Sequence, residues 1–241
     1  MKFSVPIYSL KRKARLLSRE EKIPLSAALD RVALGEGFSS WSLLAARSAA
    51  LSPARKLLGQ LSPGELVLVG ARPGQGKTLL CLELAVEAMK SGHRAVFFTL
   101  EYTPLDVVAR FRDLGVSLSS YEGLLEVDCG DSICADYIVS KLASVAAGTL
   151  VIIDYLQLLD QRRENPSLMS QVSALRSFAL SRGVTMVFIS QIDRSFEGAG
   201  RSLPGVDDIR LPNPLDLKLF DKTCFLNDGQ MEVREALSVE R

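Results

Sequence analysis

Apolar positions recur along most of this chain with two alternating periods. Short, nearly continuous apolar runs predict buried strands at 65–70, 94–100, 125–127, 149–154 and 184–190. Between these runs, apolar residues spaced three and four apart predict helices at 77–91, 104–114, 134–145 and 166–182. This alternation is typical of an α/β domain with a mainly parallel, twisted sheet flanked by helices.

Two more strands are predicted near the end of the chain, at 222–227 and 231–236. The turn between them reads Asn227-Asp228-Gly229, and an Asp-Gly pair between two apolar runs favours a tight hairpin. We therefore expect an antiparallel pair at the edge of the sheet.

The first 50 residues carry three short helical patterns, at 10–17, 25–33 and 41–50, with a break at Gly35-Glu36-Gly37. Phe38 and Trp41 are expected to form a small core for these helices, and Ser52-Pro53 to begin a linker. The predicted organisation is a basic helical segment at 1–52 followed by an α/β domain at 53–241.

Composition agrees with a globular protein, because 47% of the 241 residues are hydrophobic. No apolar run approaches the roughly 20 residues that cross a bilayer, and no signal peptide is recognised, so we expect a cytoplasmic protein without membrane contact. The four cysteines form no CxxC pair and are expected to be reduced.

Charge is distributed unevenly although the net charge is only +1. Residues 1–60 hold 11 Lys/Arg and 4 Asp/Glu, whereas the remaining 181 residues hold 18 and 24. A basic arm on an acidic body suggests docking onto nucleic acid or onto a neighbouring subunit, and an ordinary solvated helix face is the alternative.

The most specific motif lies between the first predicted strand and the helix that follows it. Its small residues let backbone N–H groups surround a phosphate, and the helix N-terminus adds a favourable partial charge. Lys77 is placed to reach the β- and γ-phosphates of ATP, and the Thr78 hydroxyl to bind Mg²⁺. The predicted nucleotide-binding residues are Ala71, Arg72, Pro73, Gly74, Gln75, Gly76, Lys77 and Thr78.

Polar residues close three other predicted strands. Asp154 ends a buried strand and is expected to join Thr78 in holding Mg²⁺. Glu101 is placed to polarise the water that attacks the γ-phosphate, and Gln191 to sense whether that phosphate is present. Because parallel strands end at one edge of a sheet, these residues should lie together, and we predict catalytic roles for Glu101, Lys77 and Gln191.

These motifs resemble those of the DnaB-type replicative helicase motor domain, which has a RecA-like fold. The resemblance rests on Gly70-Ala71-Arg72-Pro73 with Gly76-Lys77-Thr78, on Thr99-Leu100-Glu101, on Ile153-Asp154-Tyr155-Leu156-Gln157-Leu158, and on the series from Ser190 to Glu197. It covers about residues 55–236 and implies an ATPase that assembles as a homo-oligomer, in the family a hexameric ring, on single-stranded DNA.

The resemblance also places the DNA contacts and two departures from the family. Arg162, Arg163, Arg194 and Arg201 stand in the two loops that it assigns to DNA. The family's basic finger, a Lys-x-Arg pair on a late hairpin, is missing here, with Lys222 and Arg234 as candidate replacements. The family's N-terminal collar domain is replaced by the basic helical segment.

Three functions follow from these observations. The first is an ATP-driven helicase or single-strand translocase that acts in DNA replication. The second is a non-unwinding ATP-dependent switch, which the shortened hairpin favours. The third is an accessory RecA-like ATPase in recombination or signalling, against which the string from Asp154 to Leu158 counts.

Overall fold

The computed structural model describes residues 7–160, 164–211 and 213–235. Seven strands form one sheet in the order β3-β2-β4-β5-β1-β6-β7. Their bounds are β1 Leu66–Ala71, β2 Ala95–Thr99, β3 Leu125–Asp128, β4 Leu150–Asp154, β5 Thr185–Gln191, β6 Lys222–Asn227 and β7 Gln230–Glu235. All neighbouring strands are parallel except β6 and β7, so the predicted architecture is confirmed.

Helices cover both faces of this sheet. The four helices that follow strands or loops of the sheet are α5 Lys77–Lys90, α6 Pro104–Asp113, α7 Ala135–Lys141 and α8 Leu168–Arg182. Successive residues of a strand point to opposite faces, so Leu66 and Leu68 enter one core with α8 while Val67 and Val69 enter the other with α5. The strands are apolar throughout because both of their faces are buried.

The antiparallel hairpin is confirmed at the edge of the sheet. Asp228 and Gly229 both have positive φ, 46° and 72°, which a two-residue type I′ turn requires. Gly229 adopts this conformation without steric cost, and aspartate tolerates it better than most residues.

The basic segment contains helices α1 Ile7–Glu21, α2 Leu25–Gly35 and α3 Trp41–Leu51. They share a small core in which Leu10, Val32 and Leu44 are buried, with Phe38 and Trp41 packed against it. Within the described part of the chain, none of the helices has the length and apolarity to cross a membrane. The division of the chain at residue 52 stays a prediction.

Three expectations about local structure were wrong in detail. Residues predicted to begin a linker form a further helix, α4 Pro53–Leu58, which Ser52 caps by accepting a hydrogen bond from the Arg55 N–H. α7 ends at Lys141 rather than near 145, because i,i+3 turns replace the helical bonds after Leu142. Glu101 lies two residues beyond the end of β2.

Candidate functional site

The predicted phosphate loop joins the carboxyl end of β1 to the N-terminus of α5. Gly74 and Gly76 have φ of 80° and 85°, and a Cβ at either position would meet no neighbouring atom. Their conformation, rather than crowding, therefore requires glycine. Gly76 has no side chain to cap α5, so the first-turn N–H groups face the loop, where an anion is favoured.

Asp154 and Thr78, which are 76 residues apart in sequence, meet beneath this loop. The Thr78 hydroxyl donates a hydrogen bond of 3.2 Å to Asp154 Oδ2. Asp154 Oδ1 is buried and has no hydrogen-bond partner among the described residues. Burial, and then the negative charge of Glu101, raise the pKa of Asp154 to about 7, although Lys77 and the Thr78 hydrogen bond oppose the shift.

A bound divalent cation stabilises a buried carboxylate that has an unpaired oxygen, as Asp154 does. Magnesium prefers hard oxygen ligands, and the unpaired Asp154 Oδ1 beside the Thr78 hydroxyl supplies two of them in one place. A bound cation would also restore the ionised carboxyl that burial disfavours. The residues present therefore fit Mg²⁺.

Glu101 and Gln191 lie at the same edge of the sheet. Asp154 is in register with Thr99 on β2 and with Ile189 on β5, and Gln191 is in register with Ala71 at the start of the loop. Glu101 is exposed, and its N–H donates to Thr99 Oγ1 at 3.1 Å. The strand order β2-β4-β5-β1 thus brings the four predicted strand ends onto one rim.

The guanidinium of Arg72 points away from the loop's centre and holds the segment that follows β5. Its Nε and Nη2 donate to Glu197 Oε1 at 2.8 and 2.6 Å, and its Nη1 donates to the Ile192 carbonyl at 2.9 Å. Sequence reasoning placed Arg72 only at the nucleotide and did not find Glu197. Both residues lie in the motifs that carry the family resemblance, but nothing local shows that they pair.

The hairpin turn is joined to the phosphate loop by a second set of contacts. The Asp228 N–H donates to Gln75 Oε1 at 2.8 Å, and Asn227 Nδ2 donates to the Ser202 carbonyl at 2.9 Å. The phosphate loop, the loop after β5 and the hairpin therefore form one hydrogen-bonded network. The sequence predicted the hairpin but not this contact.

Gln157 is a further rim residue to which sequence reasoning assigned no role. Its Nε2 donates to the Arg210 carbonyl at 2.6 Å and to Ser190 Oγ at 3.3 Å, which ties the segment after β4 to the end of β5. The Arg210 N–H in turn donates to the Gln191 carbonyl at 2.9 Å. The loop after β5 is thereby fixed at both of its ends.

The structure describes two of the four arginines that were predicted to contact DNA. Arg194 is exposed in the loop after β5. Arg201 is half exposed and engaged within the same loop, because its Nη2 donates to Asp208 Oδ1 at 2.6 Å. Arg162 and Arg163 lie outside the described residues.

Both candidates for the basic finger form ion pairs among the described residues. Lys222 is buried at the start of β6, in register with Val67, and forms an ion pair with Glu65. It therefore lies at the edge opposite the phosphate loop. The Arg234 guanidinium is paired at 2.7 Å with Glu232.

Comparison with known proteins gives three kinds of match. A family model described as "ATPase: KaiC" matches residues 54–129. The replicative DNA helicase DnaB of Mycoplasma genitalium is 27% identical over 218 residues, which are 72% of this chain and 45% of that protein. This chain thus spans about half the length of such curated relatives.

Solved structures show the same fold. One of them, an ATPase domain, superposes with a TM-score of 0.57 at 17% identity, covering 80% of this chain and 92% of that one. A DnaB-like replicative helicase, described with its interactions with primase, gives 0.60 at 19% identity and covers 96% and 72%. The predicted RecA-like fold and the predicted resemblance are both confirmed.

Proposed function

We propose, from the premise that this chain carries a nucleotide-binding P-loop ATPase domain of the DnaB type, that it is an ATP-driven motor on single-stranded DNA that acts in replication. The observation that carries the proposal is the set of residues gathered at the rim of the sheet. A phosphate loop, a buried acid with an unpaired oxygen, an exposed glutamate and a glutamine meet there, and hydrogen bonds join them to an arginine-bearing loop.

The phosphate loop, residues 71–78, holds the triphosphate of ATP through its backbone N–H groups. Lys77 neutralises charge on the β- and γ-phosphates, and Thr78 with Asp154 holds Mg²⁺. When bound, the cation neutralises the charge that develops on the phosphate oxygens. Glu101 orients the attacking water and accepts its proton, for which an exposed carboxylate at the rim is suited.

Gln191 connects hydrolysis to the loop after β5. Its side chain reads the γ-phosphate, and its carbonyl accepts the hydrogen bond from Arg210 at the far end of that loop. Loss of the γ-phosphate therefore moves the loop after β5, which carries Arg194 and Arg201. These arginines contact DNA phosphates without regard to base sequence. Arg162 and Arg163 take part from the neighbouring loop.

Oligomerisation completes the site. A RecA-type rim is open on one side, and a basic residue from a neighbouring copy is worth orders of magnitude in phosphoryl transfer. Because Lys222 and Arg234 are both paired within their own chain, we propose that another cation of the neighbour serves, within a homo-oligomeric ring.

The decisive experiment measures ATP hydrolysis with and without single-stranded DNA. We expect DNA to stimulate hydrolysis by the unaltered chain, Lys77→Ala to abolish it, and Lys218→Ala, at an exposed lysine outside the rim, to behave as the unaltered chain. Unwinding of a forked duplex then separates a helicase from a translocase. Tight, Lys77-dependent ATP binding with negligible hydrolysis would instead support the non-unwinding switch, which the helicase relatives do not favour.

A further inference from the structure

An open cavity of about 390 Å³, whose polar lining residues are exposed, lies between the basic first helix and the ATPase domain. α1 contributes Arg15, while the end of α6 and the turn after it contribute Arg112, Ser117 and Ser119. α6 follows β2 and ends before β3, so this cavity lies at the edge where the parallel strands begin, opposite the nucleotide rim. Its volume is within the usual range of ligand sites.

Positive charges converge on this cavity from two helices. Arg15 stands one turn after Lys11 on α1, and Arg112 faces them from α6. Burial of its ammonium group, and then the charges of Arg15 and Lys90, lower the pKa of Lys11. Within the described residues, no ion pair joins Lys11, Arg15 or Arg112 to a carboxylate.

The C-terminus of α6 explains part of this arrangement. The Lys11 side chain packs over Gly115, where a Cβ would stand 2.9 Å from Nζ, so its charge lies near the last carbonyl groups of α6. That interaction accounts for one cation. The same helix end also favours Arg112, which lies in the last turn of α6, but it does not account for Arg15 on α1.

The remaining wall residues suit an anion that has an apolar part. Ser117 Oγ and Ser119 Oγ lie 2.8 Å apart, so one hydroxyl donates to the other and the second keeps its proton for a ligand. Val108, Val116 and Leu118 complete the lining. Guanidinium and serine hydroxyl groups are recurrent contacts to the phosphate and sugar oxygens of nucleic acids, so a nucleic-acid backbone matches this lining.

We infer that this cavity is a second phosphate-binding site, formed by Arg15, Arg112 and Ser117, that holds the backbone of single-stranded nucleic acid on the side of the domain opposite the rim. The inference rests on the proposed function and assigns the basic segment a nucleic-acid role rather than a purely solvated face. Binding there is electrostatic, so it weakens as salt rises.

The test measures fluorescence anisotropy of a labelled oligothymidylate with the full chain, without nucleotide, over a range of salt concentrations. Arg15→Gln and Arg112→Gln are each expected to weaken binding about three- to tenfold at low salt and to make the salt dependence shallower by about 0.7, the value for one lost contact to a single strand. Arg47→Gln, at an exposed arginine on α3, removes the same charge and is the control.

Three results overturn the inference. The first is that both variants bind like the Arg47→Gln control with the same salt dependence. The second is that the variants weaken binding by the same factor at every salt concentration, which would show that no phosphate contact has been removed. The third is that the two variants lose affinity for polyglutamate but not for oligothymidylate, which assigns the cavity to an acidic protein partner. If the unaltered chain binds no oligothymidylate, the DNA part of the proposed function fails too, whereas its ATPase part is measured separately.

Discussion

Replacing Asp154 by asparagine is expected to stabilise the nucleotide-free protein while removing the proposed magnesium site. The side chain is 1% exposed, and one of its carboxyl oxygens has no partner among the described residues. Its pKa rises from an ordinary 3.8 to about 7, first through burial and then through Glu101. The folded protein therefore holds a proton at this site at pH values where the unfolded chain has lost it.

The sign and size of the effect follow from this difference in proton binding. A carboxyl whose pKa is raised by folding favours the folded state less as the pH climbs from 3.8 towards 7. One pKa unit corresponds to about 1.36 kcal/mol. The free energy of unfolding that the ionised Asp154 removes is therefore roughly 2 kcal/mol at pH 5 and roughly 4 kcal/mol at pH 8. Asparagine has no such proton to lose, and its amide oxygen can still accept the Thr78 hydrogen bond.

The assay is urea unfolding in the presence of a chelator at pH 5 and at pH 8. We expect Asp154→Asn to unfold at a higher urea concentration than the unaltered chain. The gap between their free energies of unfolding should be about 2 kcal/mol larger at pH 8 than at pH 5. Asp207→Asn, at an exposed position, should show no such trend. The reasoning is refuted if the gap fails to grow with pH. Magnesium with ATP should then raise the stability of the unaltered chain alone.

Three further substitutions test packing and coupling. Gly70→Ala should destabilise the fold by about 1–3 kcal/mol in urea, because the new Cβ would lie 2.9 Å from Phe225 Cε1. Lys222→Met should cost about 3 kcal/mol, since it leaves Glu65 without its partner at a mostly buried position. Glu197→Gln should leave ATP hydrolysis without DNA within about twofold but reduce its stimulation by DNA several-fold, because the charged bond to the phosphate loop is lost.

Each of these three substitutions has its own control. Gly35→Ala adds a methyl group where no atom lies within 4 Å, and equal destabilisation there would contradict the packing argument. Replacing Lys222 and Glu65 together by methionine should recover part of the stability, and no recovery would count against an unpaired charge as the cause. Glu87→Gln breaks an ion pair with Lys90 at the end of α5 far from the phosphate loop, so an equal loss of stimulation would show that Glu197 has no special role.

Much of the architecture follows from the sequence because it is encoded locally. A strand buried on both faces must be apolar at every position, and such runs predicted β1, β2, β4 and β5. The hairpin turn is set by two residues that accept positive φ, and the phosphate loop by glycines between a strand and a helix. Local ambiguity explains the missed α4, since Ser52-Pro53 suits a turn as well as a helix start.

What the sequence alone determined is therefore which residues stand at strand ends and in which loops, because the hydrophobic period and turn chemistry act over a few residues. Only the tertiary structure decided which of them meet. Thr78 and Asp154, Arg72 and Glu197, and Gln75 and Asp228 are separated by 76, 125 and 153 residues. Their pairing depends on a strand order fixed by packing both cores at once, and polar side chains at a rim carry no periodicity that reveals their partners.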